Sequence, residues 1–222
     1  MSNYLAIATV TAALKELIQK AIRVPGLEGK DVRVGRPEDL AGDELARYGA
    51  NLYLYQVVPN ASLRNQDLAT RRRDGTLIQQ PQVALDLNYW IAFYSPKKDT
   101  RLETERMLGR VVSMLHTYPT ITREQLRRII DSPSYAYLAS SDVDKQLELV
   151  RLMPITLTLE ELSKLWTVFN QASHRLSLFY QASVVLIDAE LSPQPALPVR
   201  NPQTKIAPHP APVIQEVVPD ND

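Results

Sequence analysis

The segment QVALDLNYWIAFY, residues 82–94, constrains the fold more than any other part of the chain. Its side chains alternate, and one set falls on one side of an extended backbone: Val83, Leu85, Leu87, Tyr89, Ile91 and Phe93. The other side carries Gln82, Asp86, Asn88 and Trp90. A period of two residues over this length predicts a long, half-buried β-strand. The β-rich run NLYLYQVV, residues 51–58, predicts its hairpin partner.

Helix signals surround this hairpin. Residues 3–22 repeat apolar side chains at intervals of three and four, which predicts an amphipathic helix. Capping boxes, in which a threonine caps a helix and an acid or amide three residues later reaches back, predict three more helix starts. They are Thr100 with Glu103, Thr122 with Gln125, and Thr158 with Glu161.

Three further strands complete the predicted domain. Residues 31–34 and 175–190 have strand character, and so does 146–157, where Pro154 predicts an edge or bulged position because proline donates no ladder hydrogen bond. The order of elements predicts an α+β domain over residues 1–190, with a mixed, largely antiparallel sheet packed by helices.

Residues 191–222 have a different composition. They hold eight of the 16 prolines in the chain, which predicts a proline-rich C-terminal tail that is extended or disordered. The one apolar cluster in this tail is VIQEVV, residues 213–218. This cluster is either part of an unstructured end or a segment that adds as a strand to a partner.

Composition and motifs argue against an enzyme. The net charge is zero, so no overall field attracts nucleic acid or an anionic membrane, and the absence of cysteine excludes thiol chemistry. No phosphate-binding glycine loop or metal-binding histidine spacing occurs, so we expect no cofactor, no metal and no catalytic residue. The competing interpretation is a hydrolase that uses Asp86 or His116.

The N-terminal segment lacks the basic start of a secretory signal, and no stretch of about 18 apolar residues predicts a membrane span. We therefore expect assembly in the cytoplasm.

The connection between the two hairpin strands is unusually long and basic. It contains Arg64 and the triplet Arg71, Arg72 and Arg73, whereas paired strands usually need about two to five residues between them. Asp67 and Asp74 flank the arginines, and no aromatic residues interleave for base stacking. The alternatives are a solvated loop, a protein-docking loop and, last, a phosphate contact with nucleic acid.

Several segments together resemble one family. These are the start SNYLAIATVTAAL, the stretch PNASLRNQDLATRRRDGTLIQQPQVALDLNY, the segment LETERMLGRVVSMLHTYPTITREQL, and LTLEELSKLWTVF. The chain resembles, over residues 1–190, the N-terminal domain of cap or tail-terminator proteins from extracellular contractile injection systems. These systems are phage-tail-like particles of the virulence-cassette and antifeeding-prophage type.

The resemblance implies a structural function. It implies a homohexameric ring that ends the inner tube and anchors the last sheath layer, with sheath arms adding strands to a sheet edge of the cap. The implied partners are copies of the chain, the inner tube protein and the sheath protein. The finished particle would be extracellular or cell-associated. The alternative is an oligomeric adaptor, neck or tail-completion protein of another phage-tail-like assembly.

Two sets of contact residues follow as predictions from this resemblance. The first set, on the long loop, contacts the tube or a neighbouring subunit: Arg64, Asn65, Arg71, Arg72 and Arg73. The second set lies on the last two strands and accepts the sheath arm: Leu149, Arg151, Met153, Tyr180 and Ser183.

Overall fold

The computed structural model describes residues 2–23, 25–27, 29–37, 44, 47–64, 70–71, 77–79, 81–95, 101–167 and 175–190. In these residues the helices are α1 (Ala6–Ile22), α2 (Glu103–Thr117), α3 (Arg123–Ile130) and α4 (Leu159–Thr167). The strands are β1 (Asp31–Val34), β2 (Tyr48–Pro59), β3 (Thr70–Arg71), β4 (Leu77–Gln79), β5 (Gln82–Phe93), β6 (Thr120–Ile121), β7 (Val150–Pro154) and β8 (Ser177–Asp188). Two short 3₁₀ helices, Pro133–Leu138 and Val143–Lys145, join α3 to β7.

The main sheet has six strands in the order β1-β2-β5-β8-β7-β6. Only β1 and β2 pair in parallel, and the other neighbours are antiparallel. The predicted α+β class with a mixed, largely antiparallel sheet is therefore confirmed. The predicted hairpin is also confirmed, since β2 pairs with β5 from Ala50 opposite Phe93 to Pro59 opposite Leu85. The separate pair β3 and β4 lies within the long connection.

One face of this sheet holds the larger core. Helix α1 contributes Leu14, Ile18 and Ile22, all fully buried. Alternate residues of β5, such as Leu87 and Ile91, join the same cluster, as do residues of α2 and α3. The apolar stripe predicted over residues 3–22 is therefore the contact surface of α1, and its burial contributes to the stability of the domain.

The expectation that β5 is only half-buried is wrong for its second half. Every residue from Asp86 to Phe93 is buried, including Trp90 and Ala92 on the face opposite α1. Helix α4 covers that face, where the ring of Trp166 meets Trp90 edge-on with centroids 4.5 Å apart. The alternating pattern assigned the residues of β5 to the two faces correctly. It did not predict that α4 covers the face that carries Trp90.

Two of the three predicted capping boxes are confirmed. Thr122 Oγ1 accepts from Gln125 N at 3.3 Å, and Gln125 Oε1 accepts from Thr122 N at 2.8 Å. Thr158 and Glu161 make the same reciprocal pair at the start of α4. Helix α2 begins instead after Leu102, which occupies the N-cap with φ of 53° and no side-chain cap, while Thr100 lies outside the described residues.

Candidate functional site

The strand β7 has an open side for part of its length. Its outer neighbour β6 pairs only with Val150 and Arg151, and Leu152 N donates to Pro119 O at 2.7 Å. Beyond that bond, Met153 and Pro154 pair with β8 alone among the described strands. The prediction that Pro154 occupies an edge position is confirmed, since a proline there costs no ladder hydrogen bond.

The open backbone continues past the end of β7. Ile155 N still donates to Phe179 O at 2.9 Å, so this residue faces β8. Neighbouring residues of an extended chain direct their amides to opposite sides, so the N–H of Thr156 is directed away from the sheet. At this edge the carbonyl oxygen of Pro154 can accept a main-chain hydrogen bond. Thr156 can both donate one through its N–H and accept one through its carbonyl oxygen.

An apolar groove of about 740 Å³ runs along this edge. Its wall on the α1 side of the sheet comes from Val112, Leu115 and His116 of α2, and its other wall from Leu157 and Leu162 beside and within α4. The floor is formed by residues of β7 and β8: Leu152, Met153, Pro154, Phe179 and Tyr180. Burial raises the pKa of Tyr180, which is therefore a neutral phenol at physiological pH.

Three predicted sheath-arm residues lie at this edge. Arg151 is exposed and has no salt-bridge partner among the described residues, and it lines the groove with the half-buried Met153. Leu149 comes one residue before β7 and is 44% exposed. The strand is shorter than the predicted 146–157, because Gln146 turns inward. Its amide donates to Glu148 O at 2.7 Å and Val184 O at 3.2 Å.

The other two predicted sheath-arm residues lie inside the sheet. Tyr180 and Ser183 belong to β8, which has β5 on one side and β7 on the other. Tyr180 is opposite both Tyr89 and Pro154, and Ser183 is opposite Arg151. An added strand therefore has no free ladder at these two positions, which leaves β6 and the part of β7 beyond β6 as the possible acceptors on this side of the sheet.

The loop residues predicted as contacts are described only in part. Arg64 is exposed, and its N–H donates to Asn60 O at 3.1 Å, within a turn in which Asn60 Oδ1 accepts from Ser62 N and Leu63 N. The backbone of Arg71 pairs with Leu77. The remaining three, Asn65, Arg72 and Arg73, lie outside the described residues.

A second open edge was not predicted from the sequence. Strand β1 pairs with β2 only as far as Leu52, so the β2 segment from Tyr53 to Pro59 has β5 as its one neighbour among the described strands. Val57 on this segment is 42% exposed. The edge is open because β1 is only four residues long and pairs in parallel with the start of β2. Such a pairing between separate parts of the chain leaves no local pattern in the sequence.

The two residues of the competing enzyme interpretation occupy separate places. Asp86 is buried on β5, where Oδ1 accepts from Asn60 Nδ2 at 2.9 Å, and that amide also donates to Ser183 Oγ at 3.3 Å. His116 lines the groove instead. The described residues contain no cluster of three metal-ligating side chains and no helix able to cross a membrane.

The comparisons with known proteins agree with this architecture. Residues 9–201 match the family profile described as the Pvc16 N-terminal domain, and the chain belongs to that family. No curated protein sequence matches the chain at a significant level.

Two solved structures share the fold. One is the sheath/tube terminator of an extracellular contractile injection system, PVC, in its extended state, with a TM-score of 0.56 and 16% identity over 92% of this chain. The other is the anti-feeding prophage cap, the AFP tube-terminating cap, with a TM-score of 0.52 and 18% identity over 89%. This chain covers only 64% and 60% of the two relatives' lengths.

Proposed function

We propose that this chain is a cap of a contractile injection system, in which six copies form a ring that ends the inner tube and anchors the last sheath layer. Membership of the Pvc16 N-terminal domain family over residues 9–201 carries the proposal. The shared fold with two terminators supports it. This role requires binding surfaces and no catalysis, so the proposed protein is not an enzyme, and its partners are itself, the tube protein and the sheath protein.

The long connection between β2 and β5 is the proposed contact with the tube end or with the next subunit. In a closed ring, one surface of each subunit contacts a different surface of the next subunit. An extended loop is suited to form one of these two surfaces. Arginine pairs with carboxylates through two parallel hydrogen bonds, which favours Arg64, Arg71, Arg72 and Arg73 over lysines in such a contact. Asn65 is included in this proposed surface.

The open side of β7 is the proposed acceptor for a sheath arm. An added strand gains main-chain hydrogen bonds along Pro154 and Thr156, and its alternate side chains reach the two apolar walls of the groove. Leu149, Arg151 and Met153 flank this acceptor. Because β8 is an interior strand, Tyr180 contributes to the groove floor instead, and Ser183 Oγ accepts from Asn60 Nδ2, the amide that also bonds Asp86.

Replacing residues 62–76 by a two-residue turn tests the ring contact. We expect a folded monomer by native mass measurement, under conditions in which the unaltered chain forms six-fold rings on tube ends. A second variant changes Arg71, Arg72 and Arg73 together to lysine, which keeps the charge and removes the two-way pairing, so we expect it to form rings less well than the unaltered chain. Rings formed normally by the shortened variant would show that the loop is not the ring contact.

Thr156→Pro tests the sheath contact, with Thr156→Ala as its control. The proline removes the N–H that is directed away from β8, whereas alanine keeps it. We expect the proline variant to retain sheath protein about tenfold less well, the equivalent of about one hydrogen bond, and the alanine variant to match the unaltered chain. Equal retention by both variants would place the sheath contact elsewhere.

A further inference from the structure

The groove along β7 is suited to an extended peptide segment. Residues on one side of the extended chain, such as Leu152, pack into the core shared with α1, whereas Ile155 and Leu157 pack towards α4. The groove therefore has apolar walls on both faces of the sheet edge. A strand added here directs alternate side chains to the two walls, so it needs apolar residues at both odd and even positions.

The tail contains one segment with this pattern. In VIQEVV, residues 213–218, the first alternate set is Val213, Gln215 and Val217, and the second is Ile214, Glu216 and Val218. Each set has two β-branched apolar side chains, which favour extended backbone. No proline lies within the six residues, although eight occur in the tail as a whole, so the segment keeps all of its main-chain donors.

The charges of the groove and the segment are complementary. The groove is lined by one charged side chain, Arg151, and by no carboxylate, and Arg151 has no salt-bridge partner among the described residues. The segment carries Glu216, and two aspartates follow it in the sequence. An ion pair with Arg151 at this exposed position adds little affinity, but it favours one orientation and register.

The spacer between β8 and the segment has a suitable length. Strand β8 ends at Asp188, and the groove lies beside Tyr180, eight residues back along the strand or about 26 Å. The spacer has about two dozen residues, which as a flexible coil span on average about 27 Å. Fully extended as polyproline helix they reach about 75 Å. A span close to the average length gives the highest effective concentration for a contact within one chain.

We infer that residues 213–218 dock on the open side of β7 as an added strand of the same chain, in the groove between α2 and α4. The inference concerns a contact within one polypeptide and stands independently of the proposed function. If the same edge also accepts a sheath arm, the tail segment occupies the site first and the arm displaces it.

Cysteine trapping in the full-length chain tests this inference directly, because the natural sequence has no cysteine. Thr156 is exposed beside the groove, so Thr156→Cys is paired with Gln215→Cys and, in a second variant, with Glu216→Cys to cover both registers. Two controls move one partner: Thr156→Cys with Lys205→Cys in the spacer, and Val57→Cys with Gln215→Cys at the other open edge. Disulfide formation is followed over time under a mild oxidant.

We expect at least one of the two test pairs to close about tenfold faster than both controls, within a single chain by mass. Equal rates for test and control pairs would overturn the inference. Disulfides only between two chains would also overturn it, since the occupant would then be the tail of a second copy.

Hydrogen exchange of the cysteine-free chain provides a second measurement. In the docked state the amide of Thr156 is bonded to the tail, so Val213→Asp combined with Val217→Asp should raise its exchange rate at least about fivefold. The control is Ile206→Asp in the spacer, which should leave that rate unchanged. An unchanged rate in the double variant would contradict docking even if the cysteine variants failed to fold.

Discussion

On one face of the main sheet, α1 buries eleven of its 17 residues, whereas α4 on the opposite face buries none completely. The core on the first face is continuous and includes side chains of α1, α2 and α3. The second face has a small cluster around Trp90 and Phe179. Local stability follows the amount of buried apolar surface. We therefore expect the α1 face to provide most of the stability of the domain. We expect α4, beside the groove, to open more easily than the rest of the domain.

The largest expected effect is on the α1 face. Leu14→Ala removes a fully buried side chain from the centre of α1 and should lower the free energy of unfolding by about 3–4 kcal/mol. Leu159→Ala on α4 is the control, because Leu159 is 86% exposed, and we expect a change within about 0.5 kcal/mol. Urea denaturation measures both. A loss below about 1 kcal/mol for Leu14→Ala would show that the α1 face does not provide most of the stability.

A smaller effect is expected for the aromatic pair on the α4 face. Trp166→Ala removes the edge-on contact with Trp90 but takes away a ring that is only partly buried, so we expect a loss of about 2 kcal/mol. The same urea titration, followed by circular dichroism, gives the value. A loss as large as that of Leu14→Ala would mean that both faces are equally important for stability.

Equivalent capping boxes begin one helix on each face of the sheet, α3 and α4. Thr122→Ala should lower the global free energy of unfolding by about 1 kcal/mol, because α3 belongs to the main core. Thr158→Ala should cost less than about 0.5 kcal/mol globally, while amide exchange in α4 increases several-fold. Equal global losses for the two variants would show that α4 does not open separately from the rest of the domain.

The smallest effect is a dependence on pH at the start of α4. Hydrogen bonds from the backbone and hydroxyl of Thr158 lower the pKa of Glu161. A carboxylate with a lowered folded pKa stabilises the helix above its ordinary value near 4.5, and this contribution is lost as the pH falls through the folded pKa.

We therefore expect α4 to fray selectively in acid, as measured by Trp166 fluorescence. Glu161→Gln provides the reference at each pH because its side chain does not titrate. Identical acid profiles for the two chains would contradict a role for this carboxylate in holding the helix start.

Local chemistry predicted much of the fold. The reciprocal pairs at Thr122 and Thr158 and the faces of β5 depend on neighbours within a few residues, and both are confirmed. The edge position of Pro154 was predicted from its missing N–H, and it is confirmed too. The resemblance to a known family was carried by residue types in a long motif, and the family match confirms it.

The features that the sequence did not predict depend on distant pairings. The burial of both faces of β5 requires α4, which follows it by 66 residues, and the interior position of β8 requires both β5 and β7. A strand pattern indicates which residues are extended but not how many neighbours the strand has. For the same reason, Tyr180 and Ser183 were predicted to accept an added strand, although β8 has a neighbour on each side.

The most direct test of the proposed cap is the growth of inner tubes in its presence. The tube protein of the same particle is polymerised with and without this chain, and tube ends are examined by negative-stain electron microscopy. The proposal predicts shorter tubes with a six-fold disc at one end of each. Tubes of unchanged length, without added density at either end, would contradict it.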